Sequence, residues 1–138
     1  MDFTLPPEHE AVRSAVRDYV AQKVHPTIEQ FENTATFPNE LIKMAGEMGL
    51  LGIIIPEQYG GAGLDTLALA LVVEEISKVS PALALIICAN NSLSGAPIIA
   101  HGNEEQKEKY LTRLASGEMY GCYAMPEPNA GSDVANLQ

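Results

Sequence analysis

Pro81-Ala-Leu-Ala-Leu-Ile-Ile-Cys-Ala-Asn-Asn-Ser-Leu-Ser-Gly-Ala-Pro-Ile-Ile-Ala-His101 is apolar around a whole helical projection, apart from Asn90, Asn91, Ser92 and Ser94 near its middle. A solvated helix carries a polar face, so this run belongs inside a helical bundle or against a large ligand. Pro81 starts the predicted helix, which runs through Ala89 to about His101. Buried amides and hydroxyls cost free energy unless bonded, so the four polar residues either bond across helices or line a cavity. The greasiest part, Ala82 to Ala89, is shorter than the roughly 20 residues a membrane span needs.

Helical signals flank this run on both sides. Upstream, Asp65 is placed to cap a helix over Thr66 to Val79, apolar until Glu74, Glu75 and Lys78, with Glu74 and Lys78 spaced to pair. Downstream, Asn103-Glu-Glu-Gln106 is a capping-box pattern, and the helix it opens points Tyr110, Leu111 and Leu114 inward, pairs Glu105 with Lys109, and stops at Gly117. Nearer the N-terminus, Val12, Val16, Tyr19, Val20 and Val24 recur at helical spacing between Pro7 and Pro26. Pro6 leaves that first turn without a side-chain acceptor. A short helix or turn is expected from Pro26 to Glu32, then a helix opened by Pro38 in which Leu41, Met44, Ala45 and Met48 share a face. Leu50-Leu-Gly-Ile-Ile-Ile55 reads as a buried connection or strand-like segment closed by Pro56, and Glu57 to Asp65, with three glycines, reads as a loop. It lacks the surrounding strand-helix-strand pattern of a dinucleotide fingerprint and the Lys-Ser/Thr ending of a P-loop. After Glu118, Met119-Tyr-Gly-Cys-Tyr-Ala-Met125 reads as a strand with no partner in the chain. The expected class is all-α, a helical bundle over residues 1–118, with a short β segment in residues 119–138.

Composition narrows the function. The 138 residues suffice for one core, and 18 acidic against 8 basic side chains give a net charge of −10, which argues against a nucleic-acid or anionic-membrane surface. Cys88 and Cys122 lie 34 positions apart without a Cys-x-x-Cys spacing, so a reducing, cytoplasmic compartment is expected. Met1-Asp-Phe-Thr has neither a charged nor a hydrophobic leader region. His9, His25 and His101 are isolated from one another and read as surface or turn residues rather than metal ligands. No Gly-x-Ser-x-Gly elbow occurs, and Ser132 has no histidine nearby in sequence. No catalytic and no metal residue is assigned.

The remaining chemistry lies in Tyr123-Ala-Met-Pro-Glu-Pro-Asn-Ala-Gly-Ser-Asp133. Two prolines fix φ, and Gly131 can take positive φ, so successive amides can line one concavity and favour an anion or an electron-rich ring edge. Turn chemistry alone selects the same residues.

The order of motifs resembles the acyl-CoA dehydrogenases. It comprises Phe3-x-Leu5, Ile55-Pro-Glu-Gln-Tyr-Gly-Gly-Ala-Gly63, Glu74-Glu75-Ile-Ser, Asn91-Ser-Leu, His101-Gly-Asn-Glu-Glu-Gln-Lys-x-Lys-Tyr-Leu111 and Glu127-Pro-Asn-Ala-Gly-Ser-Asp133. The resemblance implies an all-α N-terminal domain followed by a β domain and a second helical bundle, with FAD and an acyl thioester between them. It implies loss of the α proton and transfer of the β hydrogen as hydride to flavin, giving a trans-2-enoyl-CoA. The base, a glutamate in the family, lies beyond Gln138. Carried over by position, the resemblance implies that Tyr123, Met125, Pro126, Gly131 and Ser132 would face FAD, that Ser132 would also touch the pantetheine arm, and that Ala89, Asn90 and Leu93 would line the acyl tail. The resemblance further implies an acyl-CoA substrate, an electron-transfer flavoprotein partner and a homo-oligomer. Pro126 departs from it, standing where the family has Thr, with neither hydroxyl nor amide hydrogen to offer the flavin. Asn129 replaces a usual Gly but tolerates left-handed φ. Pro126 motivates an alternative, a non-catalytic partner subunit or assembly module. Exposed apolar surface is expected where further domains would dock.

Overall fold

The computed structural model describes residues 4–138, so Phe3 of the opening motif lies outside the described residues. Helix α1 spans Pro7–Tyr19 and continues through a π-helical turn, Val20–Val24. It starts as expected without a side-chain cap; Pro6 accepts from the His9 and Glu10 amides through its carbonyl. Helix α2 (Ile28–Thr34) is short and ends where Ala35 adopts φ 50°, a left-handed conformation rare for a residue with a Cβ. Helix α3 (Asn39–Glu47) buries Leu41, Ile42 and Ala45. Met48, expected on that inner face, is exposed, because the helix ends at it and Gly49 turns the chain away at φ 77°.

Leu50–Gly52 is a 3-10 turn within the core, and the two isoleucines after it, Ile53 and Ile55, are excluded from solvent on either side of Ile54. No strand forms there. The glycine loop that follows contains a second 3-10 turn, Glu57–Tyr59. Gly61 is required in it: a Cβ there would fall 2.0 Å from the Ile55 carbonyl oxygen. The Tyr59 hydroxyl donates to Glu104 at 2.8 Å and ties the loop to α7.

Helix α4 (Thr66–Ser77) packs against both α1 and α5. Asp65 caps it, accepting from the Ala68 amide at 2.9 Å, and the same oxygen lies 2.9 Å from Nε2 of His9. His9 is therefore buried between α1 and α4, not a surface residue, whereas His25 and His101 are exposed. Helices α5 (Pro81–Cys88) and α6 (Ala96–His101) are one continuous rod joined by a π-helical stretch, Ala89–Gly95. The π stretch lies before Pro97, whose missing N–H and ring forbid the ordinary bond to the carbonyl of Leu93. With 21 residues and a mean hydropathy of 1.6, the rod as a whole is long and apolar enough to cross a membrane, which its greasiest segment alone is not. In the bundle one side packs on α4 and α7, while Leu85 is 65% exposed.

Helix α7 (Glu104–Ser116) has both halves of the capping box, Asn103 accepting from the Gln106 amide and Gln106 accepting from that of Asn103. Gly117 ends it at φ 76°. Lys109 sits over the Tyr110 ring, and the ion pair on this helix joins Glu104 to Lys107 rather than Glu105 to Lys109. The expected strand from Met119 to Met125 is extended chain without a ladder; the β pairing among the described residues is an isolated bridge, Glu127 to Ala130. A strand needs a neighbour to bond to, and none is present among the described residues.

The main core is built from α1, α3, α4, α5 and the Leu50–Gly52 turn, and a second cluster of Ile55, Tyr59, Leu111, Leu114 and Ala115 sits under α7. Glu75 is buried at the edge of the main core, only 4% exposed, among Arg13 (2.7 Å), Arg17 (2.9 Å) and Lys78 (2.8 Å). Glu74 also meets Lys78 at the expected spacing. Burial alone would push the Glu75 carboxyl up, but hydrogen bonds from Lys78, Arg13 and Arg17 outweigh it and hold the group at about 2. A carboxylate with a depressed value stabilises the fold above its ordinary range, and that contribution is lost as pH falls from about 4.5 towards 2. Glu75→Gln is expected to lower stability at pH 7 by about 1–3 kcal/mol. In urea unfolding across a pH series, the difference between wild type and variant should shrink below pH 4.5 and be nearly gone at pH 2.

Candidate functional site

The π-helical stretch brings two carboxamides together under the chain's connections. Asn90 donates to the carbonyls of Leu51 (2.7 Å) and Leu114 (3.2 Å) and accepts from the Gly121 amide (2.9 Å). Asn91 donates to Leu50 (3.0 Å) and Ile87 (2.9 Å) and accepts from Ile54 (3.3 Å). Both are almost wholly buried. Ser92 bonds back to the Cys88 carbonyl, and the Ser94 hydroxyl is buried without a partner among the described residues. The sequence left bonding and cavity-lining open for these four. Both occur: Asn90 and Asn91 bond across elements, and Ser94 lines a groove.

That groove, of about 410 Å³, runs between the α5–α6 rod, α7 and the C-terminal segment. Leu93, Ser94, Pro97 and Ile98 form one side, and Met119 to Tyr123 form the opposite rim. Tyr110 and Leu114 line it from α7. Its lining is mostly apolar, with few polar atoms to orient a ligand, as in pockets for apolar chains. Leu93 (43%) and Tyr123 (53%) remain exposed at its mouth.

Of the residues expected along an acyl tail, Leu93 lines the groove, Ala89 is half-buried outside its lining, and Asn90 has both amide hydrogens engaged by backbone. Asn90 therefore supports the groove from beneath. The residues expected to face a cofactor lie together on one exposed segment. The Tyr123 hydroxyl meets the Met125 sulfur at 3.5 Å, Met125 is half-buried, and Pro126, Gly131 and Ser132 are exposed. Glu127 and Ala130 exchange backbone bonds of 2.9 and 3.1 Å across a tight turn, so Pro128 and Asn129 form its tip. Gly131 does not use the positive φ that its type allows, and space around its Cα is open. Its amide, the Ser132 amide and the Ser132 hydroxyl have no partner among the described residues.

Sequence reasoning missed Pro97 and Gly121. Pro97 inside an apolar helix was the available signal, since it forces the register change that turns Asn90 and Asn91 inward. No cluster of His, Cys, Asp and Glu suited to a metal ion occurs among the described residues.

The helical domain thus carries an apolar groove at one face and ends in an exposed segment with donors unpaired among the described residues. The sequence profile of the acyl-CoA dehydrogenase N-terminal domain matches residues 6–118, and the chain belongs to that family. It is 45% identical over its whole length to a short-chain-specific acyl-CoA dehydrogenase of Clostridium acetobutylicum, covering 36% of that protein. It superposes at a TM-score of 0.94, with 38% identity, on a chain of a solved structure described as the electron-transferring flavoprotein of Acidaminococcus fermentans, covering all of this chain and 36% of that one. A Bacillus anthracis acyl-CoA dehydrogenase complexed with FAD matches 96% of this chain and 23% of its own at a TM-score of 0.83 and 38% identity. The chain thus spans about a third of the length of the curated relatives it matches.

Asn90→Ala strands the Leu51 carbonyl and the Gly121 amide, while the Leu114 carbonyl keeps its bond from the Gly117 amide. Chemical denaturation is expected to show a loss of about 2–5 kcal/mol, since each buried group left unpaired costs about 1–3 kcal/mol.

Proposed function

We propose that these 138 residues are the N-terminal portion of an FAD-dependent acyl-CoA dehydrogenase, with residues 1–118 as the helical domain and 119–138 as the start of the next domain. The observation that carries the reading is the adjoining pair of features at one end of the bundle: the apolar groove, and the Tyr123–Ser132 segment with its free donors. The residues fit a flavin. Tyr123 and Met125 supply apolar and aromatic surface, and the unpaired amides of Gly131 and Ser132 with the Ser132 hydroxyl suit electron-rich ring edges. Pro126 supplies contact only. When bound, FAD supplies a two-electron acceptor.

On this reading, Leu93 and its apolar neighbours on the rod take part of the acyl chain and exclude water, and Ser132 touches the pantetheine arm. Proton removal falls to a residue outside these 138. An electron-transfer flavoprotein is the natural recipient of the electrons, and a homo-oligomer buries the apolar side chains Leu67 and Leu85 left exposed here. Free Cys88 and Cys122 support a reducing, cytoplasmic setting.

The complete polypeptide is expected to purify yellow and to reduce an artificial electron acceptor when given a short acyl-CoA, while residues 1–138 alone stay inert. A colourless, inactive polypeptide that assembles with a flavin-bearing homologue would replace this reading with that of a non-catalytic partner, which the missing amide hydrogen of Pro126 favours.

Pro126→Thr restores a donor facing the flavin. It is expected to tighten FAD binding by about 2- to 12-fold in fluorescence titration, the equivalent of one net hydrogen bond of about 0.5–1.5 kcal/mol.

A further inference from the structure

We propose that Asn90 and Ser94, both on the π-helical stretch, are positioning residues that grip Gly121 and so set where the ligand-facing segment Cys122–Pro126 leaves the helical wall. The grip stands on geometry; its functional consequence rests on the flavin reading above.

Two independent contacts meet at Gly121. Asn90 Oδ1 accepts from its amide at 2.9 Å. On the other side its Cα lies directly on Ser94: a Cβ would fall 2.3 Å from both Cβ and Oγ of Ser94, and 3.1 Å from Leu114 Cδ2. No larger residue fits without lifting the chain. The buried Ser94 hydroxyl has no partner beneath it among the described residues, so its part is to fill the contact.

Gly121 is also the last backbone tie before the ligand-facing residues. Met119 bonds back to Arg113 at 3.2 Å, and the next backbone bonds after Gly121 are those of the Glu127–Ala130 turn, which hold that turn to itself. The backbone of Cys122–Pro126 has no partner among the described residues. Displacement at Gly121 is therefore passed along the chain to Tyr123 and Met125. Because Ser94 follows Leu93 on the rod, the same contact sets the width of the groove between Leu93 and Tyr123.

The test compares Gly121→Ala, Ser94→Gly and the double variant in the complete polypeptide, titrated with FAD. Gly121→Ala is expected to weaken FAD by about tenfold, the upper range of one lost hydrogen bond, and to shift the visible flavin band. Ser94→Gly removes the obstructing atoms. Alone it should lower the melting temperature, as glycine inside a helix does, and, because it removes one of the two contacts on Gly121, weaken FAD by less than Gly121→Ala does. Combined with Gly121→Ala it should restore affinity and band, which a general loss of stability would not do. Unchanged FAD binding in Gly121→Ala, or a loss that Ser94→Gly does not rescue, would overturn the proposal. Amide hydrogen exchange separates the grip from the flavin reading. The Gly121 amide should be protected relative to those of Cys122, Tyr123 and Ala124 without FAD, and equal exchange would sink the grip even if FAD binds. If wild type binds no FAD but keeps that contrast, the flavin reading fails and the grip stands.

Discussion

Two side-chain amides hold the connections of this domain together. Asn90 and Asn91 stand on a π-helical stretch in the middle of an apolar rod, where water cannot satisfy polar groups. Between them they bond the carbonyls of Leu50, Leu51, Leu114 and Ile87 and the amides of Ile54 and Gly121. The 3-10 turn at Leu50–Gly52, the C-terminal end of α7 and the beginning of the last segment therefore converge on one helical turn. In a low-dielectric interior each of those groups would carry a desolvation cost if left alone. The core can thus contain irregular backbone, which helices and ladders alone would not permit.

Charge does a different task at the opposite edge. Glu75 faces the main core yet remains ionised, because three cations approach it from α1 and α4. His9 and Asp65 join the N-terminal ends of the same two helices. These contacts fix how α1 lies on α4. The α5–α6 rod and α7 then present the apolar groove, and the exposed segment from Cys122 onward leaves from its rim. The groove and the exposed Cys122–Ser132 segment are adjacent because Gly121 lines the one and leads into the other.

Much of this was legible before the structure. The Asn103 capping box, the Asp65 cap, the Glu74–Lys78 pair and the glycine stop at Gly117 are local devices, and each forms where the residues place it. Other expectations depended on what lies across from a residue. Ile42 rather than Met48 faces inward, since the helix ends and turns at Met48. His9 is buried because α4 brings Asp65 to it. Met119 to Met125 has strand-like composition and no ladder, for want of a neighbouring strand among the described residues.

By itself, the order of residues determined the helices, their caps and the family to which the chain belongs, because caps, periodicity and motif spacing act over a few positions. Tertiary structure alone decided that Asn90 is occupied by backbone rather than free for a ligand, that Ser94 lies under Gly121, and that Leu93 and Tyr123 face one groove. Those relations join residues about thirty positions apart. A hydrogen bond or a steric contact at that separation exists only when packing has brought its two ends together, and no local pattern records it.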